Sequence, residues 1–258
     1  MADWLDQITN WLRRGSRPPA VRPAAGVSSF HLWWEGVEAA APIVEASVEL
    51  EIETAPTADR LYFWAMQATF QDERTSYGGA HIGLQWNPNH PGHGAVNWGG
   101  YDATGNVQNV LRGSPSSLPS TPNDPNTRDY PWRAGITYRL RISRVGEGWL
   151  GQITNSATDH TDEIRALYAG GDRLGGLVVW AEVFANCDDS SSRARWSNLE
   201  ARTATGEVVR PTSVRLTFPD QGACPNNDTV FTPTGLLQIT NAARTARHGA
   251  VLPVPAAG

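Results

Sequence analysis

Beyond residue 28 the chain is patterned in a two-residue rhythm. In Ile43–Glu53, Val44, Ala46, Val48, Leu50 and Ile52 fall on one side, and Glu45, Ser47, Glu49, Glu51 and Glu53 on the other. A strand with one buried and one wet face has this pattern. Further strands are predicted at Ser28–Trp34, Leu61–Phe70, Ala80–Trp86, Ala95–Trp98, Thr137–Arg144, Trp149–Thr154, Gly176–Asn186 and Arg193–Arg202. Weaker runs follow at Val214–Phe218, Thr229–Phe231 and Leu236–Ile239. The spacers Asn87–Gly94 and Gly113–Tyr130 are rich in Pro, Asn, Ser and Gly and read as turns or loops. Many short strands with almost no helical periodicity predict an all-β, antiparallel sandwich or jelly roll.

The first 15 residues differ. Trp4, Leu5, Ile8, Trp11 and Leu12 recur at helical spacing, with Asp3 and Asp6 early, Arg13 and Arg14 late, and Gly15 as a stop. This predicts a short amphipathic helix that docks on its own domain, on a protein partner or second copy, or on a membrane surface. The chain divides into the helix with its Pro- and Arg-rich linker (1–25), one sandwich domain (26–243) and a loosely held tail (244–258).

Composition narrows the function classes. A net charge of -5 argues against nucleic-acid binding. All 21 basic residues are Arg, which reads as codon bias in a GC-rich genome. The absence of a long apolar run predicts no transmembrane helix, and no signal peptide is evident. A cytoplasmic location is therefore expected, or a secreted one if a signal has been removed. Cys187 and Cys224 are either one disulfide in an oxidising compartment or two free thiols. No cofactor is expected.

The densest binding-type chemistry lies in Tyr62–Asp102. Period two puts Phe63, Gln67 and Thr69 on one face of their strand, opposite Tyr62, Trp64 and Met66. His81, Gly83 and Gln85 oppose Ile82, Leu84 and Trp86, and Asn97 opposes Val96 and Trp98. If these strands are neighbours, Gln67, His81, Gln85 and Asn97 line one surface, and Gly83 and Gly99 keep it low as a groove. Amides and imidazoles offer both donors and acceptors to sugar hydroxyls. A solvated face with ordinary cross-strand hydrogen bonds has the same composition. Trp86, Trp98 and Trp132 are the candidate stacking rings, provided they are exposed, and Asp102 and Tyr130 complete the ligand-binding set. Glu182 sits in the apolar run GLVVWAEVFAN on a face with Trp180 and Phe184. It is expected to pair internally with an Arg such as Arg139, Arg141 or Arg195; left unpaired, it and His81 are the catalytic candidates. Asp102 and Asp129 are its possible carboxylate partners.

No metal site is expected. His90 and His93 form H-x-x-H on a loop without a third ligand. Asp124, Asn126 and Asp129, or Asp188, Asp189 and Asp228, offer oxygens for calcium without matching a known loop spacing.

The segments LYFWAMQATF, GGAHIGLQW, AVNWGGYD, YPWRAGITYRLRI, GWLGQITN, VVWAEVFANC and RARWSNLEAR, in that order, resemble a bacterial domain family of unknown function whose members look like concanavalin A-like lectin and glucanase sandwiches. The resemblance covers residues 28–202. It implies the concanavalin-like sandwich but assigns no catalytic residue, and the metal loop and paired glutamates of lectins and glucanases are missing. The leading expectation is a lectin-like protein presenting a polar and aromatic groove to a carbohydrate or other small molecule. The alternatives are a glycan-active hydrolase or lyase in the same groove, and a non-catalytic scaffold docking through residues 1–15.

Overall fold

Sixteen strands form among the described residues, with one 3-10 turn at Pro91–His93. The computed structural model describes residues 28–37, 39, 41–106, 109–119, 124–218 and 224–255. The expected helix over residues 1–15 and its linker lie outside them. In chain order the strands are β1 (Ser28–Glu35), β2 (Ile43–Thr54), β3 (Tyr62–Gln71), β4 (Ser76–Trp86), β5 (Gly94–Tyr101) and β6 (Thr127–Asp129). Then come β7 (Thr137–Val145), β8 (Gly148–Asn155), β9 (His160–Leu167), β10 (Arg173–Val183) and β11 (Arg193–Thr203). The last are β12 (Val208–Val209), β13 (Ser213–Thr217), β14 (Asn227–Thr232), β15 (Gly235–Thr240) and β16 (Val251–Pro253).

Two antiparallel sheets make the sandwich. The first runs β16-β13-β1-β10-β3-β4-β5-β6, and the second runs β14-β15-β11-β2-β7-β8-β9 with β12 attached to β11. Neither order follows the sequence. β10 arrives between β1 and β3, so its neighbours are separated from it by more than a hundred residues. Large aromatic side chains fill the space between the sheets. Phe70 stacks on Trp149 at 5.1 Å and meets the edge of Trp98 at 6.3 Å, with Trp64 and Trp196 fully buried nearby.

Four strands go beyond the predicted set: β6, β9, β12 and β16. β9 reads HTDEIRAL and sits at an edge, where only Ile164, Arg165 and Leu167 are buried, so its alternation is diluted by charge. β16 ends in Pro253, which an edge strand tolerates because no ladder partner needs its amide. Within residues 244–255, Val251 pairs with Arg215 in the ladder, and the Arg244 guanidinium lies 3.7 Å from the Phe218 ring centre.

The two outer faces differ in character. That of the second sheet is ionic: Glu49 pairs with Arg139, Glu45 with Arg141, and Glu53 with Arg193 and Arg195. Such exposed pairs contribute little each but keep the face wet. That of the first sheet is aromatic and uncharged around its centre. The strands there approach closely. A Cβ on Gly83 would overlap the Trp64 carbonyl oxygen and the Ala65 backbone, which cannot move aside cheaply. Gly83→Ala is expected to destabilise the fold by about 1–3 kcal/mol, as overpacked interiors do, measured by urea unfolding.

Candidate functional site

Ladder register fixes three rows across the outer face of the first sheet. The first reads Ser29, Glu182, Phe63, Gln85, Ala95, Asp129. The second reads Thr217, His31, Trp180, Ala65, Gly83, Asn97, Thr127. The third reads Arg215, Trp33, Val178, Gln67, His81, Gly99. Gln67, His81, Gln85 and Asn97 thus share one face, as period two requires of neighbouring strands, and Glu182 joins them from β10.

Trp180 is the centre of this face. Its ring meets Phe63 edge-on at 4.9 Å, His81 at 5.8 Å and His31 at 6.3 Å. Phe63 and His81 are 5.4 Å apart. Ser29, His31, Trp33, Phe63 and Trp180 were not among the predicted site residues. The alternation of SSFHLWW does place Ser29, His31 and Trp33 together, but only the pairing of β1 with β10 brings them to Glu182.

Burial dominates the electrostatics. Glu182 is 2% exposed, and burial pushes its pKa up from 4.5 to about 8. The Ser29 hydroxyl opposite offsets part of this without reaching hydrogen-bond geometry. At neutral pH the carboxyl is therefore largely protonated. Burial likewise lowers His81 and His31 to about 4, so both imidazoles are neutral. An imidazole this hard to protonate is a weak base near pH 7.

Among the described residues, none of the three arginines expected as partners reaches Glu182. Arg139, Arg141 and Arg195 lie on the second sheet, where they pair with Glu49, Glu45 and Glu53. Nor does either candidate carboxylate lie beside it. Asp129 is in the same row but four strands away, roughly 19 Å. Asp102 lies past the other end of β5, where it accepts hydrogen bonds from Thr104 and Asn109. Neither can form the ~5 Å pair of a retaining glycosidase with Glu182.

Other predicted residues sit elsewhere. Trp98 is 0% exposed between the sheets, so its ring faces no solvent. Trp132 and Tyr130 are buried in the same core, where the Trp132 Nε1 donates to the Gln85 carbonyl oxygen and Tyr130 packs edge-on to Tyr138. Trp86 is half-buried at the rim, with its Nε1 donating to the Ala58 carbonyl oxygen and its ring stacked on His93 at 4.5 Å. The condition that these tryptophans offer open rings fails at Trp98 and Trp132; Trp180 and Trp33 are the indoles on the face. Gly99 does not open a groove either, because the Asn126 side chain fills the space beside it. Arg165 holds Asn126 there while also donating to the Trp98 carbonyl oxygen.

Among the described residues no group of three His, Cys, Asp or Glu side chains is arranged to hold a metal ion. His90 contacts Asp129 at 2.6 Å, His93 contacts Asp59 at 3.1 Å, and Asp124 accepts from the Asn126 and Thr127 amides.

The hydrogen-bonding capacity of the outer face is only partly used. Gln67 donates to the Tyr101 hydroxyl at 3.3 Å, Asn97 donates to the Thr127 Oγ1 at 2.9 Å, and the Gln85 Oε1 accepts from Asn87 at 2.8 Å. Among the described residues, six buried atoms on this face have no partner: Ser29 Oγ, Gln67 Oε1, His81 Nδ1, Asn97 Oδ1, Trp180 Nε1 and Glu182 Oε2.

No protein-family model matches the chain, and no curated protein matches it. The family of unknown function that the sequence resembles is therefore not confirmed. Among solved structures, a scytalido-glutamic peptidase bound to a peptide-based transition-state analogue gives a TM-score of 0.43 at 6% identity, covering 84% of this chain and 98% of its own. SCP-B, a member of the eqolisin family of peptidases in complex with a tripeptide, gives 0.42 at 7% identity with the same coverage. The carbohydrate-binding module CBM66 from Bacillus subtilis gives 0.30 at 10% identity, covering 70% of this chain and 98% of its own. None of these scores transfers a residue role. No helix among the described residues is long and apolar enough to cross a membrane.

Proposed function

We propose that this protein binds a carbohydrate on the outer face of its first sheet, between β1 and β5. The observation that carries the reading is the set of six unpartnered buried polar atoms around Trp180. A buried group without a hydrogen bond costs about 1–3 kcal/mol, and native folds carry few of them. Six on one face, beside the aromatic surfaces of Trp180, Phe63 and Trp33, suit a ligand that brings hydroxyls to the polar atoms and ring C–H faces to the aromatics.

The same reasoning sets the test. Gln67→Ala with His81→Ala removes two of the unpartnered groups, so oligosaccharide affinity is expected to fall at least 100-fold while the melting temperature holds or rises. Binding is read by calorimetry against an oligosaccharide panel. Full binding by the double variant, or a panel without a binder, overturns the reading.

A second reading, hydrolysis of such a ligand, is favoured by Glu182 alone. A carboxyl held protonated at neutral pH is a proton donor to a leaving group. With neither Asp102 nor Asp129 within reach, Glu182 would act as a lone general acid. The disulfide between Cys187 and Cys224 supports an oxidising, extracytoplasmic setting for either activity.

A further inference from the structure

Two buried arginines meet at one side of the sandwich. Arg128 is on β6, at the edge of the first sheet, and pairs in register with Val96. Arg165 is on β9, at the edge of the second sheet, and pairs with Gly151. Val96 is fully buried, and a Cβ on Gly151 would run into the Trp98 ring. Cross-strand partners share a side, so both arginines start from the inner faces of their sheets. They approach from opposite sheets where β5 and β9 are in contact, and they are only 8% and 6% exposed.

Neither has a carboxylate in contact among the described residues. Arg165 donates from Nε to the Trp98 carbonyl oxygen and from Nη2 to the Asn126 Oδ1. Arg128 donates from Nη1 to the Asp124 and Thr127 carbonyl oxygens. All four acceptors are neutral. The Asp124 carboxylate acts on both arginines from a distance, while its Oδ1 accepts from the Asn126 and Thr127 amides. It offsets one positive charge of the two. Burial first, and repulsion by Arg128 second, lower the pKa of Arg165 to about 10. Buried charge without a counter-ion is costly. Three guanidinium nitrogens make no hydrogen bond among the described residues: Arg128 Nε and Nη2, and Arg165 Nη1. None of the three is completely sealed from solvent, which leaves a small anion a way in.

We propose that Arg128 and Arg165 form a binding site for the carboxylate of a small organic acid. One positive charge is left to balance, which a monoanion does and a dianion exceeds. The planar fork of a guanidinium also matches the two oxygens of a carboxylate. Acetate is a simple free acid of this class, and glucuronate carries the same group on a sugar. The site uses none of the six unpartnered atoms around Trp180, so it stands or falls independently of the glycan reading.

The test titrates the full chain with acetate, glucuronate or sulfate, with ionic strength held constant by chloride. At ten times its dissociation constant a carboxylate is expected to raise the melting temperature by about 3–6 °C over the chloride control. Sulfate is expected to leave it at the control value. Whichever of acetate and glucuronate binds more tightly tells whether the site takes a free acid or an acidic sugar. Arg128→Gln and Arg165→Gln should each weaken acetate binding about tenfold or more, read by saturation-transfer NMR of the acetate methyl group. A purely structural role would lower stability and leave acetate affinity unchanged. If the glutamine variants do not fold, Arg128→Lys and Arg165→Lys keep the charge, lose the fork and should also bind acetate more weakly. No carboxylate-dependent shift in the parent, an equal shift with sulfate, or full acetate affinity in the variants each overturns the proposal.

Discussion

Glu182→Gln is expected to stabilise the protein in alkaline solution and to do little in acid. The folded carboxyl titrates near pH 8 and the unfolded one near 4.5. Between those values the folded state holds a proton that the unfolded state has released, so stability falls as pH rises through that window. The penalty is absent below about pH 4.5 and complete above pH 8. At about 1.4 kcal/mol per pH unit it is on the order of 5 kcal/mol. The amide has the shape of the neutral acid and does not titrate. The difference in unfolding free energy between variant and parent should therefore grow by about that amount from pH 4.5 to pH 9, as read by urea titrations at each pH. A difference independent of pH would mean that Glu182 is not held neutral, and the general-acid reading would go with it. The variant retains the acid limb set by His31 and His81. Both are lowered to about 4 from 6.5, so they withdraw stability as pH falls through that interval.

Reduction of the disulfide is the second large effect. Cys187 follows β10 and Cys224 precedes β14, and the bond between them closes a 37-residue separation. Loop-closure entropy assigns such a link about 4 kcal/mol. At 2–4 °C per kcal/mol for a domain of this size, the melting temperature should drop by about 8–15 °C on reduction. The bond anchors the segment just beyond Glu182 to the second sheet, so reduction should also loosen the end of β10. Thiol titration of native protein recovered from an oxidising compartment checks the premise: no reactive thiol before reduction and two after. Two reactive thiols from the outset would contradict the bond.

The sequence by itself determined the sandwich and the face assignments, because strand geometry converts odd and even positions into opposite sides without reference to any partner. That is why Gln67, His81, Gln85 and Asn97 could be placed on one surface before any neighbour was known, and why β2 announced its wet side through five alternating acidic and serine positions. Edge strands were harder to read, since β9 and β16 bury too few residues to show the rhythm. What the tertiary structure alone decided was adjacency. β10 inserts between β1 and β3, and this long-range pairing, invisible to local periodicity, gives Glu182 the company of Ser29, Phe63 and Trp180. It also removes Glu182 from every arginine and carboxylate the sequence offered it, and sends Trp98 and Trp132 into the core. Alternation is a local property of the backbone, whereas strand order is settled by which faces bury best together across the whole chain.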